Sequence, residues 1–242
     1  MTDGAEKMNK FLVGFLCAFI VPRLVYGAGE YTTNKDFYGD LNFRPHYNEN
    51  TVYMGIRGSV SFLDWKNEYK DESGKLGSDD FNFKSMIGMN IFIGYQGLDK
   101  WRGDIEFGYI GRYSENEMEY KDAVSTKYDF DLETFYLVLN GYYEFNNGLY
   151  AGLGAGMAAV NTSIDANWLS KTSETNISPM GAIMLGWSYK MDDKVSFDLR
   201  YRFAVFDGGD LKINIPGSTT YLKTDFGLIT DNSLSAGVRY SF

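Results

Sequence analysis

Along residues 234–242 the chain alternates without a break. Leu234, Ala236, Val238, Tyr240 and Phe242 share one face, and Ser235, Gly237, Arg239 and Ser241 share the other. Successive side chains of a strand point to opposite faces, so this segment offers lipid an apolar row and a lumen a polar one. Eight segments carry the pattern, each longer than the ~9–11 residues that cross a bilayer at a tilt. Near residues 52–65, Val52, Met54, Ile56, Val60 and Phe62 oppose Tyr53, Gly55, Arg57, Ser59 and Ser61. Near residues 82–96, Ile87, Met89, Ile91, Ile93 and Tyr95 oppose Lys84, Gly88, Asn90 and Gln96. In the third segment Ile105, Phe107 and Tyr109 alternate with Arg102, Asp104, Glu106 and Gly108, so the inner face carries both signs of charge.

Short and long connections take turns. The fourth and fifth segments meet across Asn146-Asn147-Gly148, a strong hairpin signal. The sixth and seventh meet at residues 191–194, between the rows Ile183, Leu185, Trp187, Tyr189 and Val195, Phe197, Leu199, Tyr201, Phe203. The other connections, residues 66–80, 114–128, 161–175 and 207–227, are polar and predict long extracellular loops, with the short turns at the periplasm. An even strand count returns both ends to the periplasmic side. In the last loop Leu211, Ile213 and Ile215 alternate before Pro216-Gly217, which predicts a hairpin reaching beyond the membrane. A ten-stranded count that makes this hairpin cross is the alternative, and its residues are too few and too polar for two crossings. Tyr95, Trp101, Tyr143, Phe145, Trp187, Tyr189, Tyr240 and Phe242 sit beside short turns or the terminus, as an interfacial aromatic row does. The fold class is therefore all-β, an eight-stranded antiparallel up-and-down transmembrane barrel in the outer membrane of a Gram-negative bacterium.

No apolar run reaches the roughly 18 residues of a spanning helix. The longest, residues 11–21, reads as a signal-peptide core. Met8, Asn9 and Lys10 precede it, and Val25 and Gly27 are small enough for cleavage before Ala28, although Arg23 after Pro22 is irregular. Asp3 and Glu6 suit a signal poorly, which favours Met8 as the start. The division expected is residues 1–27 as signal peptide, 28–50 as a segment on the periplasmic side, and 51–242 as the barrel. Cys17 lies in the signal core, so the exported chain has no thiol. Phe15 and Leu16 are too large for a lipidation site at that cysteine. A formal charge of −9 argues against nucleic acid as a partner.

Four stretches carry a family likeness: residues 140–145 (Asn-Gly-Tyr-Tyr-Glu-Phe), 150–156 (Tyr-Ala-Gly-Leu-Gly-Ala-Gly), 196–203 (Ser-Phe-Asp-Leu-Arg-Tyr-Arg-Phe) and 237–242 (Gly-Val-Arg-Tyr-Ser-Phe). Together they resemble the opacity-type family of small outer-membrane barrels. The resemblance implies an eight-stranded barrel displayed at the surface, serving as adhesin, surface antigen or membrane-tethering protein. The porin label often attached to that family does not establish a pore.

Gly152, Gly154 and Gly156 imitate a phosphate loop, but a spacing of two puts all three on one strand face. There they make room inside the barrel for Tyr142 and Met184. The inward charges are more informative. Arg57, Lys84, Arg102, Asp104, Glu106, Glu144, Asp198, Arg200, Arg202 and Arg239 all project from the inner face. Eight strands enclose little more than their own side chains, so these charges must pair. They form either an ion-paired plug or a narrow, gated conduit. His46, the one histidine, lies before the first strand, far from the outer rim where a hydrolase of this membrane would need its base. Neither an enzyme, a cofactor nor a His/Cys metal site is expected. The acids Glu115, Glu117, Glu119, Asp122, Asp129, Asp131 and Glu133 outnumber Lys121 and Lys127, which reads as a solvated loop and strand extension. The expected role is a structural or adhesive surface protein, with a narrow diffusion channel as the alternative. The expected partners are outer-membrane lipid and lipopolysaccharide, the barrel-assembly machinery reading Tyr240 and Phe242, and a host or matrix protein.

Overall fold

The computed structural model describes residues 51–71, 74–97, 100–121, 124–145, 147–166, 169–214 and 221–242. The signal segment with Gly27 and Ala28, residues 28–50 with His46, and the Pro216-Gly217 turn lie outside the described residues. The strands are β1 (Thr51–Asp71), β2 (Gly74–Gln96), β3 (Trp101–Lys121), β4 (Val124–Glu144), β5 (Leu149–Ala166), β6 (Leu169–Lys190), β7 (Val195–Asp207), β8 (Asp210–Asn214), β9 (Tyr221–Asp225) and β10 (Leu228–Ser241). β1 to β7 pair in chain order, β10 pairs with β7, and β10 returns to β1 from Tyr53↔Ser241 to Asp64↔Thr230. Eight antiparallel strands thus close into a barrel. Closure satisfies the backbone within the bilayer, where an unpaired N–H or C=O finds no water.

The facing of the strands follows the period of two. Val52, Met54, Ile56, Ile91, Ile93, Ile105, Phe107, Leu137, Leu139, Leu199 and Val238 are exposed on the outer wall. Tyr53, Arg57, Asn90, Arg102, Glu106, Tyr142, Asp198, Arg200 and Arg239 are buried inside. The glycine row of β5 is a close approach: a Cβ on Gly152 would lie 2.4 Å from Tyr142 Cδ1, and one on Gly154 would lie 3.3 Å from Met184 Cε.

Three of the expected loops are strand. Residues 66–71 continue β1, 74–80 begin β2, 114–121 and 124–128 extend β3 and β4, and 161–166 and 169–175 extend β5 and β6. β2 has 23 residues. At a ~40° tilt and ~3.3 Å per residue such a strand rises about 55–60 Å, roughly twice the ~25 Å apolar band. The reason is a change of solvent along one strand. In β1 the even positions Met54, Ile56 and Val60 are apolar and outward, and the odd positions Arg57, Ser59 and Ser61 are polar and inward. From Leu63 the polarity inverts at the same facing: Leu63 and Trp65 are buried, while Asp64, Lys66 and Glu68 face out. β4 inverts between Phe135, outward among lipid, and Glu133, outward above it, with Leu132 and Phe130 buried inside. Above the membrane the outer wall meets water, so apolar residues turn inward, as in a soluble barrel.

β8 and β9 form the expected hairpin and do not cross. β9 pairs with the outer end of β1, Glu68↔Asp225 to Lys70↔Lys223. The hairpin leaves and rejoins the barrel at Gly209 (φ +76°) and Gly227 (φ +54°), backbone that a side chain rarely adopts. Asp207 Oδ1 and Asp225 Oδ1 accept from the amides of Gly209 and Gly227 at 2.9 and 3.1 Å and fix both corners.

Candidate functional site, the filled lumen

The lumen holds two layers of different chemistry. The layer inside the membrane is ionic. Among the described buried residues it brings together five arginines, Arg57, Arg102, Arg200, Arg202 and Arg239, and five carboxylates, Asp104, Glu106, Glu144, Asp198 and Asp231. Arg57 on β1 pairs with Asp198 on β7 at 2.8 Å and with Glu106 on β3 at 3.0 Å. Glu106 also meets Arg200 at 2.6 Å and Arg202 at 3.5 Å, and accepts the Tyr136 hydroxyl proton at 2.6 Å. Toward the periplasmic end Glu144 on β4 pairs with Arg102 at 2.8 Å and Arg239 at 3.4 Å, and Gln96 Nε2 donates to it at 3.3 Å. The Arg102 guanidinium stacks on the rings of Tyr142 (4.3 Å) and Tyr150 (4.5 Å), where the ring quadrupole favours a desolvated cation. Asp104 accepts from Asn140 Nδ2 at 2.8 Å and from the Tyr53 hydroxyl at 3.2 Å.

These contacts run across the bore between β1, β3, β4, β7 and β10, not only between neighbours in the sheet. An unpaired ion there would cost several kcal/mol, and matched signs with hydrogen-bonded oxygens limit that cost. Nine of the ten inward charges singled out in the sequence fall in this cluster. Lys84 does not. It stands half-buried toward the outer end of β2, with its ammonium 4.9 Å from the centre of the Tyr113 ring. Asp231 is the member that the sequence pattern, begun at Leu234, stopped short of. It lies two alternations before Ser235 on the inward row of β10 and accepts from Arg202 Nη2 at 2.8 Å.

The second layer lies above and is apolar. Leu63, Trp65, Met86, Ile110, Phe130, Leu132, Val138, Val160, Met180, Phe206, Leu211, Phe226 and Ile229 form one buried cluster. Phe226, just beyond β9, stacks on Phe130 of β4 with ring centroids 5.9 Å apart, and Leu211 enters from β8. The β8–β9 hairpin therefore places side chains over the outer end of the bore. Asn176 Nδ2 on β6 donates to the Asp210 carbonyl at 3.1 Å, and Ser178 Oγ to the Asp207 carbonyl at 2.8 Å, holding the hairpin from the opposite wall. No group of His, Cys, Asp and Glu among the described residues is arranged to hold a metal.

The aromatic residues beside the short turns and the terminus pack against one another. Trp101 packs edge-on against Tyr143 (5.1 Å), and Tyr143 against Phe145 (5.3 Å). Tyr240 packs edge-on against Phe242 (5.2 Å), whose amide donates to the Val52 carbonyl at 3.1 Å.

Over residues 42–242 the chain matches the family described as outer membrane protein beta-barrel domain. No curated protein sequence matches it. Among solved structures, OprG from Pseudomonas aeruginosa is 18% identical with a TM-score of 0.52, over 80% of this chain and 96% of its own. Ail from Yersinia pestis, solved with the heparin analogue sucrose octasulfate, is 14% identical with a TM-score of 0.46, over 80% of this chain and 99% of its own. Neisserial surface protein A is 17% identical with a TM-score of 0.43, over 78% and 97%. At such identities the likeness is one of fold. The match over most of the chain and the closed barrel agree: this protein belongs to the outer membrane protein beta-barrel domain family and resides in the outer membrane of a Gram-negative cell.

Proposed function

We propose that this barrel is a structural and adhesive surface protein whose lumen is plugged. The observation that carries the reading is the pairing of a filled bore with strands that continue far above the lipid. Arg57, fully buried, bridges Asp198 and Glu106 across the ionic layer. Phe226 and Leu211 cover it from the outside. A conduit needs mobile water and weak sites along its axis, whereas these charges are matched in sign and ion-paired with one another across the bore. The outer extensions of β1 to β6 instead invest chain length in a rigid platform outside the cell, which suits contact with a host or matrix protein.

The test is display on a bacterial surface with and without a shortened β3–β4 hairpin in which residues 116–129 are replaced by a two-residue turn. Adhesion to matrix proteins that disappears with the hairpin, while the barrel still reaches the surface, supports the reading. Adhesion equal to that of cells lacking the protein contradicts it.

A further inference from the structure

The two carboxylate oxygens of Asp198 are unequally used. Oδ1 accepts from Arg57 Nε at 2.8 Å and from the Tyr150 hydroxyl at 2.9 Å. Oδ2 is buried and has no hydrogen-bond partner among the described residues, with Arg102 Nη2 standing 3.7 Å from it. The donors around it are unmatched as well. Arg57 Nη2, both terminal nitrogens of Arg102 and Arg239 Nε are buried with no hydrogen-bond partner among the described residues.

The register brings these groups together. Gly237 on β10 lies opposite Arg57 on β1 and opposite Asp198 on β7. A Cβ there would lie 2.6 Å from Arg57 Cγ, so glycine lets the arginine cross β10 to reach the carboxylate. Arg239, the next inward residue of β10, is diagonal to Asp198, a spacing that a long side chain covers. Arg102 arrives from β3 across the bore.

Buried polar groups left unmatched are costly, so a further species must meet them. Its chemistry follows from what it faces. It accepts, because N–H groups of three guanidiniums converge, and it donates, because an ionised carboxylate only accepts. It is neutral: Arg57, Arg102 and Arg239 stand against Asp198, Glu144 and Asp104, the last of these beside Arg102 on the inward row of β3. Matched charges leave an ion nothing to neutralise. Water has all three properties, and one molecule touches two atoms 3.7 Å apart at ordinary hydrogen-bond lengths.

We propose that Asp198, Arg57, Arg102 and Arg239 enclose a fixed water site, in which water donates to Asp198 Oδ2 and accepts from the unmatched guanidinium N–H groups. The apolar layer above offers water no such partners, whereas Gln96 and Glu144 continue the polar lining toward the periplasmic end. The site therefore fills from the periplasm, and the lumen is a blind well, wet below and dry above. The inference rests on the plugged reading and specifies what joins the charges of the plug.

The experiment uses the wild-type protein. Crystals that resolve ordered water are expected to show density within hydrogen-bond distance of both Asp198 Oδ2 and Arg102 Nη2. Side chains closed to a direct bond with nothing between them overturn the proposal. So does anomalous density at that position after a bromide soak, which would make the occupant an anion. In lipid vesicles, with the arginine side chains isotopically labelled, proton exchange with water is expected to be at least about tenfold faster at Arg239 Nε than at Arg57 Nε, because the bond to Asp198 must open before Arg57 exchanges. Arg239→Lys and Arg57→Lys identify the two signals, each in protein that keeps the heat-dependent gel shift of a folded barrel. Equal rates at the two sites overturn the proposal. The plug and the water site fail separately: a dry cluster in a barrel that passes no current removes the water site alone, and unitary openings remove the plug whether or not water is found.

Discussion

Arg200 grips Glu106 through two parallel hydrogen bonds across the lumen, Nη1 to Oε2 at 2.6 Å and Nη2 to Oε1 at 2.8 Å. A planar guanidinium matches a carboxylate in this way, so the pair fixes the distance and orientation of β7 relative to β3. Glu106 accepts from Arg57 and Tyr136 as well, which makes it the shared acceptor of the ionic layer.

Glu106→Gln therefore leaves three arginines short of one negative charge. The expected loss is about 3–5 kcal/mol of unfolding free energy, measured by urea unfolding of protein refolded in vesicles. Combining it with Arg200→Met should cost less than the sum of the two single changes, because the double variant removes a charge from each side. A loss under about 1 kcal/mol for Glu106→Gln would show that the network contributes no structural restraint.

Leu132→Asn tests the outer layer. Leu132 is fully buried among Phe130, Val160 and Phe226, although it faces inward on the same row as polar Asn140. If the lumen were polar throughout, asparagine would be tolerated. In an apolar core it should cost about 2–5 kcal/mol, because it loses packing and strands an amide. Leu139→Ser, seven residues further along β4 and on the lipid face, provides the contrast of a residue whose loss does not open the cap.

Acid should loosen the outer β3–β4 hairpin through one pair. Arg112 Nε and Nη2 donate to Asp131 at 3.2 and 2.8 Å, and Ser114 Oγ adds a third bond, so the folded carboxyl is held below the ordinary carboxylate range. A depressed folded value means that the stabilisation is complete above the unfolded value, about pH 4, and is lost as pH falls through the folded one. Arg112 is more than half exposed, so solvent screens the pair and the effect is small. Amide exchange along residues 112–116, corrected for intrinsic rates, should show protection dropping below about pH 4 in the wild type. In Asp131→Asn the protection should be lower at neutral pH and lack that drop.

Much of this was legible in the sequence, and the misses share one cause. Period-two alternation placed Ile91 outward and Asn90 inward, because within the membrane the outer solvent is oil and every strand obeys one polarity. That rule was carried past the lipid. At Leu63 and Asp64 the outer solvent becomes water, the polarity inverts, and a strand extension looks like a polar loop. The inversion is visible in the chain as Leu63, Trp65 against Asp64, Lys66, and it marks the rim. The cross-lumen partners, such as Arg57 with Asp198, 141 residues apart, were not legible. Alternation says that both point inward and nothing about which charge meets which. Lys84 shows the limit, since inward facing at the outer end places it against Tyr113 and not in the ionic layer.

Phe242 offers a test of assembly. Its ring is two-thirds exposed, and it packs only edge-on against Tyr240, so its contribution to folded stability is modest. Burial of a whole aromatic is worth about 1.5–3 kcal/mol, and this residue gains a fraction of that. Deleting Phe242 should nevertheless reduce surface protein sharply, measured by protease accessibility on intact cells, if the assembly machinery reads the end of β10. Phe62→Ala, another outer-wall aromatic far from the terminus, should reduce it little. Equal, modest effects would assign Phe242 a purely interfacial role.

Planar-bilayer conductance of the purified, refolded protein bears most directly on the plugged barrel. The ionic layer around Arg57, Glu106 and Asp198 and the apolar cap of Phe226 and Leu211 predict a silent membrane, with no stepwise openings at any potential the bilayer withstands. Steady, reproducible unitary openings from wild-type protein would contradict the account and establish a continuous path through the lumen.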